Sequence, residues 1–269
     1  MNLELDRGRI PFGGEAVGVI PARCASTRFP DKPLALIAGI PMICWTLKSA
    51  GQAASFKEVF VAAEDQVIVD AVHKWGGKAR LVRGSFRTGS DRVAEAVKGS
   101  DAPAVVNIQA DEPFIDAAGI DEALGLLEDH PDFGITTIIR PISSVEDYHN
   151  PNSVKVVLDD RQRCLYFSRS PIPAIHGKSI GLKLPQDAPI YQHIGIYCYR
   201  RSALDYFARL PSSPLEKLES LEQLRFLESG GLIGAVKVKA AGPSVNAIED
   251  LRLAERFIRE NNINFDLMI

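Results

Sequence analysis

Over its first 108 residues the chain repeats one alternation, strand-like segments separated by helical ones. Val17 to Ile20 carries no interleaved polar residue and reads as a strand buried on both faces. Ile40-Pro41-Met42 opens a helix, with Pro41 suited to the first turn and Ile43, Leu47 and Ala50 on one face. Glu58 to Ala63 is a second buried strand, and Asp65 is placed to cap a helix carrying Val67, Val69 and Val72. Lys78 to Val82 is a short third strand, Asp91 to Val97 a helix, and Ala104 to Ile108 another buried strand. This alternation predicts an α/β fold with a doubly wound, mostly parallel sheet.

The regularity fades afterwards. Strands are expected at 134–139, 153–158, 163–167 and 191–199, and amphipathic helices at 215–228 and 248–259. Residues 171–189, rich in Pro, Gly and Lys, form a long loop, and 261–269 is expected to fray. No linker composition divides the chain. The expectation is an N-terminal extension (1–16) and one domain (17–260), with its two halves at about 17–115 and about 116–260.

A net charge of −3 argues against a nucleic-acid binder, so local cationic clusters are features of a site. Cys24, Cys44, Cys164 and Cys198 have no metal-binding spacing and read as reduced thiols of a cytoplasmic protein. Residues 1–16 lack the apolar core of a signal peptide, and no run approaches a membrane span.

Three stretches carry chemistry. After the first strand, Arg23, Arg28 and Lys32 lie in a loop stiffened by Pro30 and Pro33 and kept open by Ala22, Ala25, Ser26 and Thr27. Three cations at the carboxyl end of a first strand suit a polyphosphate. An ordinary solvated basic loop is the other reading. Thr88-Gly89-Ser90 offers hydroxyls and amides at a helix start, suited to an anion or simply to capping. Asp111-Glu112 ends the strand 104–108, either as an acidic turn or as a seat for a magnesium ion shared with substrate phosphates.

The order Arg23-x-x-Ser26-x-Arg28-x-Pro30-x-Lys32-Pro33-Leu34 resembles the signature loop of cytidylyltransferases that activate acidic sugars, with 3-deoxy-manno-octulosonate (Kdo) cytidylyltransferases nearest in kind. Further segments follow in that family's order: Thr88-Gly89-Ser90-Asp91-Arg92, Gln109-Ala110-Asp111-Glu112-Pro113, Asn150-Pro151-Asn152-Ser153-Val154-Lys155 and Tyr166-Phe167-Ser168-Arg169. His193-Ile194-Gly195-Ile196-Tyr197 and Leu221-Glu222-Gln223-Leu224-Arg225 complete the likeness.

The resemblance implies a Rossmann-like nucleotidyltransferase, its nucleotide half at about 17–115 and its acceptor half at about 116–260, with a smaller mixed-strand sub-region for acceptor and dimer contacts. It implies CTP and an acidic sugar as substrates, Mg2+ as cofactor, and a homodimer. Pro21, Ala22, Arg23, Ser26, Arg28, Lys32, Arg87, Thr88, Gly89, Ser90, Arg92 and Gln109 become nucleotide candidates. Arg23, Lys32 and Asp111 become catalytic candidates. Gln109, Arg169, His193, Tyr197, Glu222 and Gln223 become acceptor candidates, with Arg169 assigned to the sugar carboxylate. Asp111 and Asn246 become the magnesium ligands.

Three motifs depart from the family pattern. Ala110 replaces a glycine, Ala62-Ala63-Glu64 replaces Ala-Thr-Asp, and Asn246 stands where the family has a second metal-binding aspartate. Phe86 occupies a place where the family has histidine or another residue, and Arg87 is an added cation. The implied reaction is transfer of CMP from CTP to the anomeric hydroxyl of Kdo with release of pyrophosphate. Its rivals are the same chemistry on another acidic acceptor and a nucleotide-binding paralogue impaired in catalysis. Dehydrogenase and P-loop readings fail, because neither glycine-rich motif is present.

Overall fold

The computed structural model describes residues 9–25, 29–176, 184–185, 189–238 and 242–267. The first half runs β1 (Ala16–Ala22), β2 (Leu36–Ile37), β3 (Ile40–Pro41), α1 (Met42–Ala50), β4 (Phe56–Ala63), α2 (Gln66–Lys74), β5 (Ala79–Leu81), α3 (Gly89–Ala96) and β6 (Ala104–Ile108). Then come α4 (Ala117–Asp129), β7 (Ile135–Pro141), α5 (Val145–His149), β8 (Lys155–Leu158), β9 (Cys164–Ser168) and β10 (Tyr191–Arg200). The chain finishes with α6 (Arg201–Arg209), α7 (Pro214–Glu219), α8 (Leu224–Glu228), β11 (Ile233–Lys237) and α9 (Asp250–Glu260).

One sheet in the order β11-β7-β10-β6-β1-β4-β5 passes through both halves. β6, β1, β4 and β5 are parallel, as are β11 and β7, whereas β10 runs antiparallel to both β6 and β7 and joins the two groups. The β8–β9 hairpin hangs from β10. Side chains alternate across the sheet with period two. Ala16, Ile20 and Ala22 pack with Ile43, Leu47, Ile68 and Leu124 on one face. Val17 and Val19 pack with Val93, Leu204, Phe207 and Leu224 on the other. Helices therefore cover both faces, which is why β1 is a continuous apolar run and β6 is apolar but for the buried Asn107.

Several expectations need correction. The sequence pattern missed α4, α6 and β11, and the helix expected at 215–228 is two. Ser220 takes a left-handed conformation (φ 53°) between α7 and α8. The helix expected from 248 starts at Asp250, and Ile40-Pro41 pairs with Leu36-Ile37 before α1 begins at Met42. Asp65 occupies the N-cap position of α2 without capping it; its carboxylate accepts from Cys24 N at 2.8 Å, steadying the end of β1. Residues 9–12 are docked on α4, where Arg9 pairs with Glu128 and Asp129 and Phe12 N donates to Glu128. Phe265 does not fray. It packs edge-on against Trp45 and Trp75, with ring centroids 5.0 and 5.7 Å away. Of the long 171–189 loop, 177–183 and 186–188 lie outside the described residues.

Candidate active site

A cavity of about 540 Å³ opens beyond the end of β6. Arg87, Thr88 and Gly89 line it from the start of α3, and Gln109, Asp111 and Glu112 line it from the turn after β6. Helix α1 pins that turn: Thr46 Oγ1 donates to Ala110 O at 3.0 Å and Ser49 Oγ to Pro113 O at 2.7 Å. Lys32 reaches in from the loop after β1, its Nζ 2.6 Å from Asp111 Oδ2. On the other side of the turn Val245 N donates to Asp111 O at 2.9 Å, which brings Asn246 to the cavity wall beside Asp111. Ser244 Oγ donates to Glu112 Oε1 at 2.7 Å. Burial, aided by the charge of Asp111, pushes the Glu112 carboxyl up to about 7.

The second half supplies the opposite wall. His193 is buried, with Nε2 2.9 Å from Thr137 Oγ1. Thr137 spends its proton on Ile196 O, so it accepts from His193 Nε2–H and leaves Nδ1 as the imidazole's acceptor. Burial lowers the His193 pKa to about 3, so the ring is neutral at any ordinary pH. Tyr197 donates to Gln223 Oε1 at 3.0 Å, and burial holds its phenol protonated. That bond leaves Gln223 Nε2 buried without a partner among the described residues, on a side chain that lines the cavity. Such an orphaned donor marks a place for a ligand oxygen. β10 is irregular between Ile194 and Tyr197, and there Gly195 meets Gln109: a Cβ on Gly195 would lie 2.7 Å from Gln109 Cγ. The two walls touch through this glycine.

The comparisons with known proteins agree with one another. The family model described as cytidylyltransferase matches residues 17–238. The chain belongs to the cytidylyltransferase family. The 3-deoxy-manno-octulosonate cytidylyltransferase of Syntrophotalea carbinolica is 42% identical over 245 residues, 90% of this chain and 97% of that protein. The enzyme of the same name from Flavobacterium johnsoniae is 40% identical over 246 residues, 91% and 98% of the two chains. A solved CMP:2-keto-3-deoxy-manno-octonic acid synthetase complexed with CTP superposes with a TM-score of 0.83 at 38% identity, covering 91% of this chain and 99% of that one. A 4-diphosphocytidyl-2C-methyl-D-erythritol synthase from Anaerococcus prevotii, 14% identical with a TM-score of 0.58 over 91% and 97% of the chains, shares the fold.

In this cytidylyltransferase the predicted site residues divide. Arg87, Thr88, Gly89, Gln109, Asp111, Arg169, His193, Tyr197, Glu222, Gln223 and Asn246 all line the one cavity. Lys32 joins through Asp111. Pro21 lies beneath the start of α3, 3.3 Å from where a Gly89 Cβ would stand, and Ala22 is buried behind it. Arg23 is exposed at the end of β1 and does not line the cavity, while Ser26 and Arg28 lie outside the described residues.

Two nucleotide candidates are turned elsewhere. Arg92 is buried, donates to Val82 O at 2.6 Å, pairs with Glu64 and stacks on Phe86 at 4.8 Å, so it anchors the end of β5 and does not line the cavity. Ser90 is fully buried and bonded to Glu222, Tyr199 and Asn107.

Arg169 is also more committed than its motif suggests. Its guanidinium donates to Glu219 O at 2.7 Å, Pro151 O at 2.9 Å and Ser220 O at 3.3 Å, tying two turns of the acceptor wall together. Two of its five N–H groups have no partner among the described residues and can serve a ligand. Lys155, fully buried, binds the carbonyls of Asn150, Ser153 and Arg169 and braces the same corner. Glu216 and Ser244 line the cavity too, although sequence reasoning did not single them out. Glu216 is held by Arg225, which is fully buried. Ser244 had a sequence signal, lying two positions before Asn246.

Proposed function

We propose that this chain transfers CMP from CTP to the anomeric hydroxyl of 3-deoxy-manno-octulosonate, releasing pyrophosphate. One observation carries the reading. A single cavity places the Lys32–Asp111 pair and Asn246 against a wall of His193, Tyr197, Glu222 and Gln223. Relatives about 40% identical along nearly their whole length, named for this reaction, support the same substrates.

In this reading Thr88 and Gly89 hold the nucleotide at the start of α3, where amides and the helix dipole favour phosphate. Beside them stands Arg87, whose guanidinium is already bound to Asp91 and to the carbonyls of Ala208 and Leu210. Lys32 stabilises charge on the departing pyrophosphate. Gln109 stands between the substrates, fixed by Gly195. Neutral His193, the Gln223 amide and the Glu222 carboxylate bind sugar hydroxyls, and the spare N–H groups of Arg169 meet the sugar carboxylate. The work is positioning plus electrostatic stabilisation, and the acceptor's own hydroxyl is the nucleophile.

Magnesium suits the donors available. Asp111 supplies a carboxylate and Asn246 an amide oxygen, and Mg2+ is commonly held by one or two carboxylates together with substrate phosphates and water. Bound there, it would neutralise phosphate charge and lower the pKa of a coordinated hydroxyl. We further propose a cytoplasmic homodimer acting in lipopolysaccharide precursor synthesis. Four free cysteines fit a reducing compartment, and no helix among the described residues is long and apolar enough to cross a membrane.

The test is pyrophosphate release from CTP, UTP, ATP and GTP with magnesium, with and without Kdo. Release requiring both CTP and Kdo supports the assignment. Release with CTP and a different acidic acceptor would replace Kdo, and CTP binding without release from any acceptor would make the protein an impaired paralogue.

A further inference from the structure

Ser90 stands in the first turn of α3, and its buried hydroxyl is surrounded by three side chains and does not line the cavity. Its Oγ lies 2.8 Å from Glu222 Oε1, 2.9 Å from Asn107 Nδ2 and 2.8 Å from Tyr199 OH. A serine hydroxyl has one proton and two lone pairs. The Asn107 amide nitrogen can only donate, so it takes one lone pair. Glu222 Oε1 is the acceptor of the bond from the hydroxyl, so it takes the proton. Tyr199 therefore donates to the second lone pair, and the hydroxyl has no bonding position left. The Ser90 backbone N–H points at the same carboxylate, 3.4 Å from Glu222 Oε2. Asn107 and Tyr199 come from neighbouring strands of the sheet core, and both are fully buried.

We propose that Ser90 is a positioning residue for Glu222, holding the acceptor-wall carboxylate on the amino end of the helix that carries the nucleotide candidates Thr88 and Gly89. The inference rests on the acceptor role given to Glu222 above. Asn107 and Tyr199 act one step further back, directing the serine proton onto the carboxylate. The arrangement makes one helix end serve both substrates: its first residues face the nucleotide, and its next residue orients a group for the acceptor.

Glu222 is faced by Thr88 and Ser90 from α3, by Tyr197 and Tyr199 from β10 and by Arg225 from α8. Burial raises its pKa, and hydrogen bonds from Ser90 and Thr88 to the ionised form work against that rise. Removing the serine hydroxyl thus raises the carboxyl further. A serine that merely filled space would not move this group.

The experiment compares wild type, Ser90→Ala, Glu222→Gln and the double variant, varying CTP and Kdo independently from pH 5.5 to 8.5. Ser90→Ala is expected to raise KM for the acceptor about tenfold or more, as for loss of a hydrogen bond to a charged group. It is also expected to move the acid limb of kcat/KM for the acceptor to higher pH. In the Glu222→Gln background the same change adds little, and Ser90→Thr restores the wild-type behaviour. Strictly additive effects, or a rise confined to KM for CTP, would overturn the proposal.

Should Ser90→Ala not fold, the near-isosteric Tyr199→Phe gives the same directions with smaller shifts, and an unchanged acceptor KM there overturns the proposal. If the wild-type protein releases no pyrophosphate with any acceptor, the function has been misassigned. The positioning bond is then read from thermal unfolding of the same four proteins. Coupled losses of stability support it, and independent ones refute it.

Discussion

Lys32 Nζ sits 2.6 Å from Asp111 Oδ2, at a point where two loops 79 residues apart in sequence converge. The pair is partly exposed, with about a fifth to a quarter of each side chain open to solvent (20% and 25%), so it is poised for ligands and contributes little to stability. Lys32→Ala is expected to lower kcat/KM for CTP by about 10²-fold, the scale of losing a stabilising charge at a reacting phosphate. Its unfolding free energy should change by less than about 1 kcal/mol. Pyrophosphate release and chemical denaturation check the two halves. A large loss of stability with unchanged turnover would reverse the assignment.

Asn246 offers the cation a dipole where a carboxylate would offer a charge. Asn246→Asp should lower the magnesium concentration for half-maximal rate by about tenfold, as expected when ligand charge tunes a hard-cation site. A magnesium titration of pyrophosphate release at saturating CTP gives the answer. An unchanged midpoint would remove Asn246 from the ligand set.

Gly195 is one of the contacts between the two walls. A methyl there would stand 2.7 Å from Gln109 Cγ, so Gly195→Ala must displace Gln109 or bend β10. The expected cost is about 1–3 kcal/mol of stability, typical of overpacking. Turnover should fall out of proportion to that cost, because Gln109 lines the cavity. Comparing thermal unfolding with kcat and both KM values separates the effects.

His193 makes stability depend on pH in a defined window. Its ring has a native pKa lowered to about 3 from the ordinary 6.5. Above 6.5 both native and unfolded forms are neutral, and the residue adds no pH dependence. As the pH falls from 6.5 toward 3 the unfolded chain takes up a proton that the native state refuses, and stability drops. His193→Gln should therefore show a shallower acid-side loss than wild type in thermal unfolding followed from pH 7 to 4. Parallel curves would contradict the buried neutral imidazole.

How much was legible beforehand depends on where each residue's partners lie. Thr88 was placed at a helix start by its own local chemistry, and it caps α3 by accepting from Asp91 N at 3.2 Å. Asp65 has the same local signal, yet the Cys24 amide from another loop takes its carboxylate. Arg92 matches its motif position, but Glu64 and the Val82 carbonyl claim its guanidinium. The pattern at 215–228 stays amphipathic across Ser220, and nothing local announces the left-handed residue that splits it. There Arg169 Nη2 donates to Ser220 O at 3.3 Å, a contact from 51 residues away.

The sequence alone determined the strand–helix alternation and the doubly wound first half. Its motif likeness singled out many of the residues that converge on one cavity, but not Glu216 or Ser244, and it also pointed to Arg23, Ser90 and Arg92, which do not line it. The alternation follows from period, turn chemistry and residue type, which act over a few neighbouring positions, whereas the site residues came from the motif resemblance. Only the tertiary structure decided that β10 runs antiparallel through the sheet, that Lys32 meets Asp111, and that Ser90 serves Glu222. A side chain's donors and acceptors are divided among whatever groups the packed chain brings within about 3 Å. That division depends on residues distant in sequence, and no local pattern encodes it.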